Sequence, residues 1–214
     1  SDDARFWEFR RFLFECGSRP LWSGYARGFA FRRHFEERLR ALTLQCLTHE
    51  VPADEPIIVH GQTGTGKTVA LGALAYETAK SGHHPVLFIE RKTQRPNYAD
   101  VDQCCQWLED HGAPATLVVW DGMVQPSEYD DLQGFLASRG RKVVLVGSCY
   151  RLAAHSRNSI EVPDRLTVEE SREFGEFLAS LGITLHDRLR EALERRDSTY
   201  LVALYRLLPP ARVR

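Results

Sequence analysis

Two glycines, a lysine and a threonine (61, 66, 67 and 68) in Gly61-Gln62-Thr63-Gly64-Thr65-Gly66-Lys67-Thr68 fit the spacing G-x-x-x-x-G-K-[ST]. That spacing suits a loop whose backbone N–H groups wrap around phosphate oxygens at the start of a helix. Lys67 is expected to reach the β- and γ-phosphates of a nucleotide, and the Thr68 hydroxyl to hold Mg2+. Glycine at 61, 64 and 66 lets the chain turn with positive φ and approach an anion without a Cβ in the way. The flanks have the required order. Pro56-Ile57-Ile58-Val59-His60 reads as a short buried strand, and Val69–Tyr76 as a helix leading away. A Gly/Thr-rich turn without a ligand would not account for strand, loop and helix arriving in that order.

A phosphate loop needs a second oxygen ligand for its metal. Asp121, at the tip of the apolar run Leu117-Val118-Val119-Trp120, is the candidate. A later apolar strand ends in Gly147-Ser148, with Arg151 three residues on. In sheets of this kind the fourth strand commonly lies between the loop strand and the Asp121 strand. Ser148 is then expected to bond the γ-phosphate or the attacking water, and Arg151 to sense the terminal charge. A solvated arginine beyond a strand end is an equal alternative for Arg151. Hydrolysis also needs a group that orients or deprotonates water. Gly122-Met123-Val124-Gln125 puts no acid beside Asp121, so Glu90 is the substitute, unless it pairs with Arg91 or Lys92 as surface charge. Nucleotide binding is better supported than turnover. Trp22, Tyr25 and Arg27 either fold over an adenine or belong to the core.

These residues have to be carried by something, and the pattern around them alternates. Strands are expected at 56–60, 85–90, 116–121, 142–148 and 158–162. Helices are expected at 67–81, 100–111 and 127–139. Near-continuous apolar strands separated by helices imply an α/β fold with a parallel five-stranded sheet covered on both faces. Ahead of it, helices are expected over 5–15, broken by Arg19–Gly24, and over 32–48. The second of these has a buried stripe of Phe35, Leu39, Leu42 and Cys46 and an Arg/Glu face that reads as solvated. After Pro163 the chain turns helical. Thr167 and Glu170 form a capping box ahead of Phe174, Phe177 and Leu178, a further helix starts near His186, and another spans Ser198–Tyr205. The resulting division is an N-terminal helical segment (1–50), a nucleotide-binding core (51–165) and a small helical subdomain (166–214).

Composition narrows the class. The 214 residues carry 43% hydrophobic and 27% charged side chains, with a net charge of -1. Such a balance gives no electrostatic reason to expect nucleic acid or a membrane as partner. No apolar run is long enough to cross a bilayer, and no secretory signal is visible. The five cysteines are odd in number and include no C-x-x-C pair. They suit a reducing cytoplasm and buried thiols rather than zinc, for which adjacent Cys104-Cys105 lacks ligand spacing. The sole methionine is Met123, and five aromatic residues crowd the first 15 positions. Both point to a piece of a longer chain, with those aromatics packed on this domain or on a neighbour.

The chain resembles the additional-strand P-loop ATPases, and within them the STAND class, which includes NACHT-type switches and bacterial antiviral STAND proteins. The phosphate loop carries most of that likeness. Val144–Arg151 resembles the class's apolar strand ending in Ser/Thr with an arginine beyond. Glu161–Glu170 resembles the entry to its helical subdomain, and Tyr200–Pro209 a helix leading towards a winged-helix module. The resemblance implies an ATP/ADP switch with Mg2+ in which nucleotide exchange controls homo-oligomerisation. It also implies effector and sensor domains in the full-length chain and a trigger ligand. Two departures stand out. No second acid follows Asp121, and the usual Gly-Arg motif before the loop is blurred into Gly24-Tyr25-Ala26-Arg27. The alternative is an AAA+-type nucleic-acid loader or motor, with Arg32, Arg33, Arg38 and Arg40 and later Arg188, Arg190, Arg195 and Arg196 as basic patches.

Overall fold

The computed structural model describes residues 2–16, 19–50, 53–90, 95–151 and 158–183. Three helices come first: α1 (Asp2–Glu15), α2 (Trp22–Ala26) and α3 (Phe35–Leu47). Alternation then begins with β1 (Ile57–His60), α4 (Lys67–Ser81), β2 (Val86–Ile89), α5 (Tyr98–Asp110), β3 (Thr116–Trp120), α6 (Pro126–Ser138), β4 (Val143–Cys149) and β5 (Ser159–Glu161), before α7 (Val168–Ser180). The strands form one parallel sheet in the order β2-β3-β4-β1-β5. The fold is therefore the α/β arrangement of a P-loop NTPase, with β4 inserted between β1 and β3.

Side chains alternate across a strand, so each apolar run feeds two cores. Ile57 and Val59 of β1, Leu117 and Val119 of β3, and Val144 and Val146 of β4 meet Leu39 and Cys46 of α3 and Leu71 and Leu74 of α4. The intervening residues Ile58, Val118, Trp120 and Leu145 meet Val101 and Cys105 of α5 and Leu132 and Leu136 of α6. A sheet covered on both faces needs no polar alternation, which is why its strands read as continuous apolar runs.

A third core joins the two ends of the described chain. Phe9 and Phe12 of α1, Tyr25 of α2, Phe29 and Phe31 pack with Phe174 and Leu178 of α7 and with Ala73 of α4. The early aromatics are thus split by helical periodicity: Phe9, Phe12 and Cys16 face inward, while Trp7 and Phe14 are 58% and 54% exposed.

Three local expectations need correction. Trp22–Ala26 is itself a short helix and not merely a break. The next helix begins at Phe35, because residues 32–34 lead into it as a non-helical turn. The Arg/Glu face of that helix is not simply solvated. Glu36 is buried and accepts the Arg33 N–H at 2.8 Å and Arg40 Nη2 at 3.1 Å, and Arg40 Nε also bonds Glu77 of α4 at 2.7 Å. Arg33 is buried too. These charges sit where α3 meets other elements, so they pair internally and do not make a basic patch. The helices read near His186 and over Ser198–Tyr205, and the arginines between 188 and 196, lie outside the described residues.

The cysteines behave as core thiols. Cys16, Cys46, Cys105 and Cys149 are buried, Cys104 is half-buried, and all five are free. Burial pushes Cys16 and Cys105 up to about 12. Among the described residues no group of three or more His, Cys, Asp or Glu side chains is arranged to hold a metal ion. No helix among them is long and apolar enough to cross a membrane.

Candidate functional site

The Gly61–Thr68 loop leaves β1 at the carboxyl edge of the sheet, where Gly61 N–H donates to Cys149 O at 3.3 Å. Gly64 (φ 77) and Gly66 (φ 99) hold the left-handed conformations that a side chain would strain. Gly66 is also the N-cap of α4, and no side chain caps that helix start. The first-turn amides of α4 therefore carry the positive end of the helix dipole at the loop without competition from a capping oxygen.

Lys67 is buried and bound inward. Its Nζ donates to Gly61 O and Gln62 O, each at 2.6 Å, and lies 5.9 Å from the centre of the Tyr150 ring. Thr65 is pinned twice: its Oγ1 donates to Gln62 O at 3.0 Å and its carbonyl accepts from Arg33 at 2.9 Å. Gln62 and Thr63 at the loop tip are exposed, and Thr68 is half-buried.

Asp121 follows β3 and is buried, and its Oδ1 accepts the Ser148 hydroxyl at 2.7 Å. Ser148 belongs to β4, paired with Val59 of β1, so the strand between loop and Asp121 supplies the carboxylate's partner. Ser148 is itself fully buried, and its hydroxyl is engaged by Asp121. Tyr129 of α6 secures this strand end. Its hydroxyl donates to Ser148 O at 2.6 Å and accepts Ser148 N–H at 3.1 Å. A Cβ on Gly147 would lie 2.2 Å from the Tyr129 ring, so the glycine there is what admits the tyrosine.

Thr68 and Asp121 contribute a hydroxyl and a carboxylate, the hard oxygen donors that suit Mg2+ alongside phosphate oxygens and water. Glu90 is exposed and follows β2, the edge strand beyond β3. Three strand spacings of ~4.8 Å place β2 about 14 Å from the loop strand. Arg151 is exposed, two residues past the end of β4. The structure thus gathers the loop, Lys67, Asp121 and Ser148 at one sheet edge, with Arg151 beside them and Glu90 furthest out. Of the aromatics ahead of the loop, Tyr25 is core: it stacks on Tyr76, and its hydroxyl lies where a Cβ on Gly72 would be, 2.1 Å away. Trp22 meets Phe88 edge-on, and Arg27 pairs with Glu8.

Arg33 is the residue that sequence reasoning missed. It reads as one of a surface pair, yet it is 1% exposed. Its guanidinium donates through Nε to Glu170 Oε1 (2.9 Å), through Nη1 to Thr65 O (2.9 Å) and Pro163 O (3.1 Å), and through Nη2 to Arg165 O (3.0 Å) and Glu170 Oε2 (3.3 Å). A guanidinium has five N–H donors, and each of these acceptors takes one. Glu170 is equally committed. Beyond Arg33 it accepts the backbone N–H of His34 at 2.9 Å and of Thr167 at 2.9 Å, the latter closing the capping box of α7. Burial alone would raise the Glu170 pKa. The Arg33 guanidinium and the Thr167 and His34 amides outweigh it and hold the pKa below its ordinary value. The one hint in the sequence is that Arg33 lies midway between Phe31 and Phe35. Alongside this pair, a cleft of about 380 Å3 opens between residues 28–37 and α7, with Phe31, His34, Glu173 and Phe177 in its wall.

Comparison with known proteins places this geometry. Residues 13–159 match the model of the family described as Novel STAND NTPase 5. No curated protein matches the chain. Among solved structures, the chain is similar to the ORC1 protein of Aeropyrum pernix in complex with DNA (TM-score 0.52, 17% identity, 82% of this chain and 58% of that one). It is also similar to PCH-2 of C. elegans (TM-score 0.51, 13% identity, 79% of this chain and 59% of that one). At such identities the likeness is one of fold. The chain spans about three fifths of the length of either structure.

Proposed function

Because the chain belongs to the Novel STAND NTPase 5 family, we propose that it is the nucleotide-operated switch domain of a signalling or antiviral defence protein. Residues 61–68 take up ATP or ADP. The observation that carries this reading is the loop itself: left-handed Gly64 and Gly66 between β1 and an uncapped α4, with the buried Asp121 carboxylate at the same sheet edge. To engage a polyphosphate, Lys67 exchanges its two carbonyl partners for phosphate oxygens. Thr68 and Asp121 hold Mg2+, which when bound screens the charge of the phosphates. Ser148 keeps Asp121 oriented, Arg151 reports on the terminal phosphate, and Glu90 is the candidate carboxylate for ordering water. Hydrolysis with so distant a base is slow, as suits a switch more than a motor.

On this reading residues 51–165 are the nucleotide-binding core. Residues 1–50 and 166–214 form helical parts that respond to the nucleotide, and exchange of ADP for ATP frees surfaces for homo-oligomerisation. Effector and sensor domains in the longer protein complete the machine in the cytoplasm. The nucleic-acid loader alternative draws no support from the arginine cluster, since Arg33 and Arg40 are held in internal ion pairs. The decisive experiment is thermal unfolding of the chain with saturating Mg-ATP, Mg-ADP and Mg-GTP. Binding raises the midpoint with ligand concentration. A midpoint indifferent to all three removes the nucleotide site from the proposal. Size measurement of the full-length protein with ATP and with ADP then tests the switch: identical mass in both states removes oligomerisation.

A further inference from the structure

We infer that Arg33 is a positioning residue of the phosphate loop and that its pairing with Glu170 makes nucleotide binding and the docking of α7 a single coupled equilibrium. The inference rests on the reading of residues 61–68 as a nucleotide site. Arg33 is not itself assigned to nucleotide or metal, and it acts on the loop through the Thr65 carbonyl.

The peptide between Thr65 and Gly66 is a rigid plane, with its carbonyl and its N–H pointing in opposite directions. When Arg33 Nη1 holds the Thr65 carbonyl at 2.9 Å, it fixes the direction of the Gly66 N–H, one of the amides a phosphate uses. The Thr65 hydroxyl, bound to Gln62 O, restrains the same residue from its other end. The loop is thereby ordered before any anion arrives, and a preorganised donor costs less on binding.

The same guanidinium spends its other four N–H groups elsewhere. It bonds Pro163 O and Arg165 O in the segment leading into α7, and both oxygens of Glu170 within that helix. Glu170 in turn fastens Thr167 N–H at the start of α7 and His34 N–H beside Arg33. A cation and an anion that are each about 1% exposed cannot separate without leaving two uncompensated charges out of water. Undocking α7 together with the segment that leads into it therefore strips Arg33 of four of its five acceptors and frees it to leave Thr65. Conversely, a nucleotide that needs the loop ordered favours the docked position of α7, because coupling between two sites is reciprocal. A charge pair built for rigidity alone would not need to reach the phosphate loop.

Hydrogen exchange tests this with the intact chain. Mg-ATP is expected to slow exchange in α7 (168–180) together with the loop amides at 65–70, with the β3 and β4 amides serving as internal reference. Glu170→Gln, which keeps the shape and removes the charge, is expected to bind Mg-ATP at least tenfold more weakly and to lose the nucleotide-dependent protection of α7. Arg33→Lys, which keeps a charge but cannot serve three segments, is expected to do the same. If wild type binds Mg-ATP and protects the loop but not α7, the coupling is wrong. Wild-type affinity in a folded Glu170→Gln or Arg33→Lys protein overturns the positioning role. Should the variants not fold, the wild-type exchange pattern alone decides. A wild type that binds no nucleotide refutes the underlying site, and this inference with it.

Discussion

The Ser148 hydroxyl donates a hydrogen bond to Asp121 Oδ1 at 2.7 Å, and both side chains are buried. The bond fixes the orientation of a buried carboxylate at a strand tip. It also makes the middle strand β4 responsible for a residue on β3, next to a loop that follows β1. Replacing Ser148 by Ala should leave one buried carboxylate oxygen without its donor, at about 1–3 kcal/mol in stability. The functional effect should be specific. The Mg2+ concentration needed for ATP binding should rise severalfold, while metal-free nucleotide binding stays as in wild type. Magnesium titration of a fluorescent ATP analogue gives the answer, and an unchanged midpoint would separate Ser148 from the metal site.

Lys67→Ala should abolish nucleotide retention while leaving the fold in place, because the Lys67 ammonium bonds carbonyls of the loop itself. A loss of at least a hundredfold in affinity, about 2.8 kcal/mol, is expected for a buried ammonium facing phosphate. Isothermal titration with Mg-ATP measures it, and near-native affinity would reassign the lysine to holding the loop closed.

The contact of α2 with α4 depends on the absence of a side chain at residue 72. A Cβ there would lie 2.1 Å from the Tyr25 hydroxyl and 2.5 Å from its ring. Gly72→Ala should destabilise by ~1–3 kcal/mol through overpacking. The Tyr25 hydroxyl is buried and has no hydrogen-bond partner among the described residues, so Tyr25→Phe alone should be neutral or stabilising. The double variant should recover part of the loss, which denaturant unfolding of the four proteins would reveal as non-additivity. Strict additivity would mean that the two sites do not touch.

Stability should fall as pH rises from 4.5 to about 7, between the unfolded and folded values of Glu36. Burial pushes the Glu36 carboxyl up to about 7, against the opposing pull of the Arg33 N–H, Arg40 and Arg32 and with the Glu77 charge adding to the rise. A carboxyl whose folded pKa exceeds its unfolded one favours the fold when protonated, and that advantage disappears as pH climbs through the folded value. His34 works in the same direction. Its bond to Glu173 raises its pKa, so the stability it adds is complete below its unfolded value and lost above its folded one. Glu170 has the opposite sign, being held low, and matters only in acid below its unfolded value of 4.5. Melting midpoints across this range should decline for wild type and decline less for Glu36→Gln, which keeps the His34 contribution. A parallel decline in the variant would clear Glu36.

The sheet was legible because buried parallel strands leave an unbroken apolar signature, and the runs beginning at Ile57, Val86, Thr116 and Val143 all became strands. The capping box at Thr167 and Glu170 was equally plain, since both partners lie within one helical turn. Arg33 was not legible. Its pairing with Glu170 spans 137 positions, and no local spacing distinguishes an arginine bound for the interior from one bound for solvent. Ser148 lay between the two cases. Its strand position followed from the pattern, but its commitment to Asp121 required knowing which atoms lie across the gap.

Residues 61–68 by themselves specified an anion-binding turn, because glycine placement limits the backbone locally and a strand and a helix adjoin it. Only the tertiary structure decided what holds that turn in place and what it is joined to. Those partners are charges and carbonyls from distant segments, and the burial of a charged side chain, which no local spacing encodes, turns them into an obligatory set of bonds.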